Sequence, residues 1–505
     1  MRSADFPSFA PLALISGVLA ILLAALLSGS FVHLAVTLLV LIALASATGF
    51  TAVGWPRLFA ALFVIILLIP IRRYALPGNL PFQLEPYRVF VILLVVGWAA
   101  SLLVDRRVRP RWTGFEWPLG IIVGAMVASI VANPGRVQAA SVEVNKSFTF
   151  FLSFLLLLYV LCSTIRRLGD VDRLVKTLVV AGAVVALSAL VEARTGFNVF
   201  NHLGRVIPYL RDLGDVGGFQ RVGTAKLRVF ASAQHPIALS AAFVMLSTLA
   251  VYLAHRYRQR RWILCVFLFA AACASTVSRT GIVMCVVAAL VFLWLRPRET
   301  RRLWPAVLPL LVAIHFVLPG TLGAIKQSFF PAGGLVAEQS VSPGSSGSGR
   351  LADVGPAIAE WKVQPLFGEG FGTRVTFPTG AFATRSSILD DQWLGTLLET
   401  GALGAFGWLW FFVRAVRRFG REAKRDETDR GWLLASLTAG VAAFGVGMVT
   451  YDAFSFIQVT FLLFIFVGLG CAALAESPIR LAAPEGDKSP ARRAPAPTRM
   501  ARGEV

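Results

Sequence analysis

An all-α, polytopic membrane bundle of about 12–14 transmembrane helices with two long outward-facing loops is the fold class this sequence predicts, on three observations. Of its 505 residues, 56% are hydrophobic and 15% charged, where a soluble chain usually carries about 25% charged residues. The apolar residues are grouped into runs that approach the roughly 20 residues needed to cross about 30 Å of hydrocarbon. The formal charge of +21 is concentrated in short loops between those runs instead of forming one basic face.

Taken in order, the apolar runs cover 10–28, 31–53, 57–71, 87–104, 115–133, 147–165, 174–191, 236–254, 262–278, 280–296, 303–319, 392–413, 432–450 and 453–474. The third is short and the pair over 262–296 also reads as one span, so 12 or 13 crossings stay open alongside 14. With Met1 on the cytoplasmic side, alternate loops become cytoplasmic. Those loops and the two termini hold 31 of the 48 Lys and Arg residues, and the other side holds 17 although it has the two longest loops. This is the positive-inside bias, which acts through short loops near span ends. It accounts for most of the charge and argues against a nucleic-acid partner, since no globular domain remains to present a basic surface.

The chain therefore divides into N-terminal helices over 1–191, a first long extracytoplasmic loop over 192–235, helices over 236–318, a larger loop over 319–391, C-terminal helices over 392–474 and a tail over 475–505. The tail is rich in Pro, Ala and Arg, which predicts a disordered, basic segment at the cytoplasmic membrane surface. The first apolar run is of full span length with no clear cleavage site and reads as a retained helix. All five cysteines fall inside apolar runs, where they pack as small hydrophobes. Phosphate-binding glycine loops, dinucleotide fingerprints and zinc-protease motifs are missing from the sequence, so ATP-driven transport and cofactor redox chemistry lose their usual warrants.

The informative basic residues are the outward-facing minority. Arg279 sits in a Ser278-Arg279-Thr280 turn between apolar stretches of 16 and 15 residues, each reaching only about 22–24 Å. That places an arginine near membrane depth, where a charge is costly and usually faces a cavity or a partner. The run from Arg228 to Pro236 leads into an apolar helix with proline suited to its first position. Free backbone N–H groups there, with Arg228, Gln234 and His235, form an expected anion site, although His235 reads equally well as an ordinary cap. Asp390 and Asp391 precede the span at Gln392 and read either as a catalytic carboxylate pair or as an acidic helix cap. Trp361, Phe367, Phe371 and Trp393 read as anchors of the chain at the membrane interface, as aromatics commonly are.

Three stretches resemble one family, the bacterial O-antigen ligase and O-antigen polymerase superfamily. They are Ser275-Thr276-Val277-Ser278-Arg279-Thr280-Gly281; Gly349-Arg350 with Trp361 and Pro365-Leu366-Phe367-Gly368-Glu369-Gly370-Phe371-Gly372; and Asp390-Asp391-Gln392-Trp393-Leu394 with Leu397, Glu399, Gly401 and Gly404. The Arg228 to Pro236 segment is a fourth, weaker match. The resemblance implies transfer of a glycan from an undecaprenyl-diphosphate carrier to a hydroxyl of a glycan or glycolipid acceptor, at the outer face of the bacterial plasma membrane. Arg228, Arg279 and Arg350 then become the expected clamp on the diphosphate, because arginine binds phosphate bidentately without a metal. Gln234, His235, Ser278, Trp361 and Trp393 become expected substrate contacts, Trp361, Phe367, Phe371 and Trp393 are by the same resemblance candidates to stack on sugar faces, and Asp390, with Asp391 beside it, becomes the expected base. No Asp-x-Asp pair occurs in the outer loops, which favours a reaction with neither metal nor cofactor. Ligases of the family typically read His-Asn where this chain reads Asp390-Asp391, which puts a polymerase of repeat units first, a ligase second, and a polysaccharide or lipid transporter third.

Overall fold

The computed structural model describes residues 54–77, 84–104, 108–214, 219–220, 227–303, 305, 307–330, 350–374 and 389–475. The expected spans at 10–28 and 31–53 and the tail beyond Ala475 lie outside the described residues. Within them the chain is helical, with strand limited to two short antiparallel ladders. The main helices are α1 (Trp55–Leu68), α2 (Pro86–Val104), α3 (Glu116–Ala132), α4 (Ser141–Thr164), α5 (Leu168–Thr195), α6 (Pro236–Tyr257), α7 (Arg260–Ser275), α8 (Arg279–Leu295), α9 (Val307–Val317), α10 (Thr321–Phe329), α11 (Arg350–Trp361), α12 (Gln392–Arg425), α13 (Asp429–Gly447) and α14 (Ile457–Ala475). Each expected apolar run from 57 to 474 falls on one of them.

Five of these helices, α4, α5, α6, α12 and α14, are long and apolar enough to cross a membrane by length and composition, and α1, α2, α3 and α8 are shorter apolar helices. The run at 303–319 departs from a straight crossing. Helix α9 has 11 residues, about 16 Å, and at Pro319-Gly320 the chain bends by 110° into α10. Proline denies the continuing helix an amide donor, and Gly320 takes a left-handed φ of 79° before α10 begins.

Helix α14 is apolar on every face, and 94% of its 18-residue apolar window is buried inside the bundle. It can have no solvent face, so it runs through the middle, packed on α4, α6 and α13. Helix α6 is also largely buried and touches α5, α7, α8 and α13. Lipid is as apolar as leucine, so helix association here rests on close packing and internal polar contacts. An aromatic cluster fills the space between α4, α12 and α14: Phe154 meets Phe461 edge-on at 4.6 Å, and Trp408 lies 4.4 Å from Phe454.

Helix α12 is continuous only in outline. Gly401 has φ 65° and ψ −168°, a conformation essentially reserved for glycine. The break leaves backbone groups that a regular helix would pair with each other, and an extended loop repairs them. Ala402 N–H donates to Pro365 O at 2.8 Å, Leu403 N–H to Leu366 O at 3.3 Å, and Leu398 O accepts from Glu369 N–H at 2.8 Å. Glu399 O accepts from the Ser129 hydroxyl of α3. The same loop is tied to the end of α3 by Asn133 Nδ2 on Gly368 O at 2.9 Å and by the Arg136–Glu369 ion pair. Contact is close enough that a Cβ on Gly401 would lie 2.2 Å from Leu366 O, and one on Gly368 2.4 Å from Leu398 O.

Gly401→Ala is therefore expected to cost about 1–3 kcal/mol from backbone strain alone, with the clash on Leu366 O added. Gly120, in α3 with open space around its Cβ position, should accept alanine without loss, since alanine is the better helix former. Thermal unfolding of the two detergent-purified variants, followed by size-exclusion retention, checks the contrast.

Candidate active site

A cavity of about 500 Å³ opens where the break in α12 meets the ends of α4, α6, α13 and α14. It is bordered by apolar rings, among them Phe151, Phe371 and Trp408, and by a set of charged and polar side chains: Arg72, Lys146, His235, Arg374, Asp390, Glu399, Tyr451 and Asp452. These come from six separate stretches of sequence, all at the same end of the bundle.

Each is positioned by local structure. Arg72 follows α1 in a left-handed conformation, φ 67°, with its N–H on the Glu85 carboxylate at 2.8 Å. His235 caps α6: its Nδ1 accepts from Ile237 N–H at 3.2 Å, and its ring stacks on Phe456 at 5.6 Å. With Nδ1 accepting, the neutral imidazole carries its proton on Nε2. The preceding loop is anchored by Glu192, whose carboxylate accepts from Phe230 and Ala231 N–H at 3.3 and 2.9 Å. Arg374 lies over Gly395, where a Cβ would stand 2.9 Å from its guanidinium, one turn before Glu399 on α12.

Asp390 and Asp391 separate in role. Asp391 is the N-cap of α12, its Oδ1 accepting from Trp393 N–H at 2.8 Å and Leu394 N–H at 3.1 Å. Asp390 lines the cavity. Gln392 holds this corner in place, donating its N–H to Met448 O at 2.9 Å and accepting from Phe454 N–H at 2.8 Å. The segment so held includes Tyr451 and Asp452. Burial pushes the Asp452 carboxyl above the usual carboxylate range, and nearby Asp390 pushes it the same way, while Ser455, Arg374 and Arg72 oppose the rise. The Tyr451 hydroxyl is buried and makes no hydrogen bond among the described residues. Such a group carries a desolvation cost that a bound polar ligand would relieve.

The turn between α7 and α8 adjoins this cavity. Val277 has φ 49°, Ser278 Oγ caps α8 through Gly281 N–H at 3.4 Å, and Arg279 is the first helical residue. Thr280 and Thr450 hydroxyls are 2.9 Å apart, which fixes the turn against the Tyr451-Asp452 segment. Arg228 ends a short strand pairing Phe219–Gln220 with Leu227–Arg228, and its Nε donates to Thr276 O at 3.1 Å.

Of the residues expected from sequence, Asp390 and His235 line the cavity directly. Arg228, Ser278 and Arg279 gather at the adjoining turn. Gln234 lies next to His235 with both amide atoms buried and without a hydrogen-bond partner among the described residues. Asp391 caps its helix, Trp361 donates its indole N–H to Pro365 O at 3.0 Å, and Trp393 donates to Gly445 O at 3.0 Å while packing on Phe412. Arg350 begins α11, and its side chain lies outside the described residues. Arg72, Lys146, Tyr451 and Asp452 were not singled out by sequence. The Thr450-Tyr451-Asp452 polar break between two apolar runs was the available signal.

Fold and site together define a polytopic helical membrane protein with a mixed-charge cavity at one end of its bundle. Residues 264–409 match the family model described as O-antigen ligase, which supports placement in the O-antigen ligase and polymerase superfamily and a membrane glycan-transfer function. The matched stretch contains the Arg279 turn, Arg350, the Pro365–Gly372 loop, Asp390 and the broken part of α12. No curated protein matches the chain.

Two predictions separate roles inside this site. Tyr451→Phe should leave thermal stability equal or slightly higher, because it removes a buried hydroxyl that has no hydrogen-bond partner among the described residues. It should weaken substrate binding, read as a raised KM. Asp391→Ala should cost about 1 kcal/mol of stability through the lost helix cap, visible as a lowered melting temperature, whereas Asp390→Asn should melt like the parent.

Proposed function

We propose that the cavity transfers a glycan from an undecaprenyl-diphosphate carrier to a sugar hydroxyl, and that the enzyme is a polymerase of O-antigen or exopolysaccharide repeat units in the bacterial plasma membrane. The observation that carries this reading is the placement of Asp390 in one cavity with Arg72, Lys146 and Arg374, next to the turn that bears Arg279. The acceptor hydroxyl oxygen attacks the anomeric carbon of the donor sugar. Its proton passes to the Asp390 carboxylate, and the bond from the anomeric carbon to the phosphate oxygen breaks, with the electron pair leaving on the lipid diphosphate.

Charge grows on that leaving group as the bond breaks, and fixed cations in a water-poor cavity stabilise it more than water does. Arg279 and Arg228, reached from the cavity past Thr450, are with Arg350 the proposed diphosphate clamp, and Arg72 and Arg374 are cations of the cavity itself. Gln234, with its unsatisfied buried amide, and His235 Nε2–H are proposed donors to the sugar or diphosphate. Trp361 and Trp393 are proposed contacts at the edge of the glycan path. An aspartate base needs no metal to act, which supports a metal-independent reaction.

A second reading, transfer of a finished glycan to a lipid or other terminal acceptor, is favoured by the description of the matched family as O-antigen ligase. In the polymerase reading, purified protein given undecaprenyl-diphosphate-linked oligosaccharide should yield a ladder of repeat lengths, unchanged by chelator. A single product on a terminal acceptor would establish the ligase reading instead. Asp390→Asn should lower the transfer rate about 10²- to 10⁴-fold, the usual worth of a general base.

A further inference from the structure

A second cavity, of about 590 Å³, lies at the opposite end of the bundle on the C-terminal half of α12. Six arginines and one glutamate border it, together with Trp410, Val413 and Leu474. Most of these arginines are occupied with the fold. Arg414 and Arg418 donate to Gly114 O and Thr113 O, Arg425 pairs with Glu422 at 3.3 Å, and Arg430 pairs with Asp426 at 3.0 Å and donates to Ala473 O at 2.9 Å. They build the walls. Arg417 and Arg421 are exposed and make no hydrogen bond or ion pair among the described residues. They stand four residues apart on one helix, where like charges repel, so an anion between them would relieve a local cost.

The face that carries these two arginines shows which anion fits. Leu403, Phe406, Trp410, Val413, Arg417 and Arg421 follow one another at intervals of three or four residues, one stripe along α12. Leu403, Phe406 and Val413 are at least 36% exposed, Phe406 54%, as side chains facing acyl chains would be. The stripe turns from aliphatic and aromatic to arginine within one helical turn, about 6 Å, with a tryptophan at the level where interfacial aromatics collect. An amphiphile with an apolar tail and an anionic head matches this order of side chains. A soluble anion would have no use for the apolar half. The chain beyond Leu474 is a poor occupant, because residues 476–505 carry six Lys and Arg against four Asp and Glu and share the sign of the groove.

We propose that this arginine groove is a binding site for the headgroup of an anionic phospholipid of the adjoining leaflet. Its phosphate is held by Arg417 and Arg421, and its acyl chains run along Val413, Phe406 and Leu403. The site is independent of the glycan chemistry at the other end of the molecule.

The test uses the full-length protein, purified and delipidated in detergent, with phosphatidylglycerol, phosphatidylcholine and inorganic phosphate titrated separately and bound lipid counted by native mass spectrometry. Phosphatidylglycerol is expected to bind in preference to phosphatidylcholine. The Arg417→Gln/Arg421→Gln double variant, whose changes are on the surface, should melt like the parent and bind phosphatidylglycerol about thirtyfold more weakly. That figure takes roughly a fivefold contribution from each basic residue near an anionic lipid. Equal retention of the two lipids, unchanged affinity in the double variant, or inorganic phosphate displacing the lipid at equal concentration would each overturn the proposal.

Discussion

Everything around the mixed-charge cavity depends on the exchange of hydrogen bonds between the break in α12 and the Pro365–Gly372 loop. An irregular backbone at this depth is tolerated only where protein or a cavity satisfies its polar groups, and here both conditions hold. Gly401 cannot be helical, so Leu398 O, Glu399 O and the N–H groups of Ala402 and Leu403 need new partners. Three of the four are supplied by the loop and one by Ser129. The two Gly-rich motifs, about 30 residues apart in sequence, are one structural unit. Each requires glycine because the other's backbone occupies the space where a Cβ would be.

The consequences extend from that unit in two directions. Toward α3, the Arg136–Glu369 pair and Asn133 fasten the loop, which carries Phe371 and Gly372 to the cavity wall. Toward the start of α12, the short half-helix from Gln392 to Thr400 is aimed by its Asp391 cap and by Gln392, so that Asp390 and Glu399 reach the same space as Arg374 and Asp452. Acidic and basic groups from separate stretches of the chain are held around one hollow. At the far end of the bundle, arginines serve otherwise. Arg296, just after α8, donates to Ala423 O near the end of α12 at 2.8 Å, and Arg430, at the start of α13, donates to Ala473 O near the end of α14. Basic loops that read as signals of orientation are also the fastening of that end.

The legible part of the fold was the helix set, since an apolar run long enough to span a membrane has few alternatives. The least legible helix was α9, where a composition suited to a span does not reveal that Pro319-Gly320 turns the chain by 110°. Among the residues that line the cavity, Asp390 and His235 are marked in the sequence because they sit beside recognisable helix starts. Arg72 and Asp452 are not, because a single charged residue in a short loop looks the same whether it faces solvent or a cavity. Only the structure shows that Asp391 Oδ1 accepts from Trp393 and Leu394 N–H and that the Trp393 indole donates to Gly445 O.

Sequence alone determined that the chain is a bundle of apolar helices with its basic residues gathered in the short loops between them, because hydrocarbon thickness and charge spacing are one-dimensional properties that a string of residues carries directly. It also supplied the glycine-rich and acidic motifs as separate marks. Only the tertiary structure decided that the Gly401 break and the Pro365–Gly372 loop complete each other, and that Tyr451 and Asp452 belong with Asp390. Those are relations between backbone groups and charges brought together from distant segments, and their energy depends on distance and burial, which local sequence does not encode.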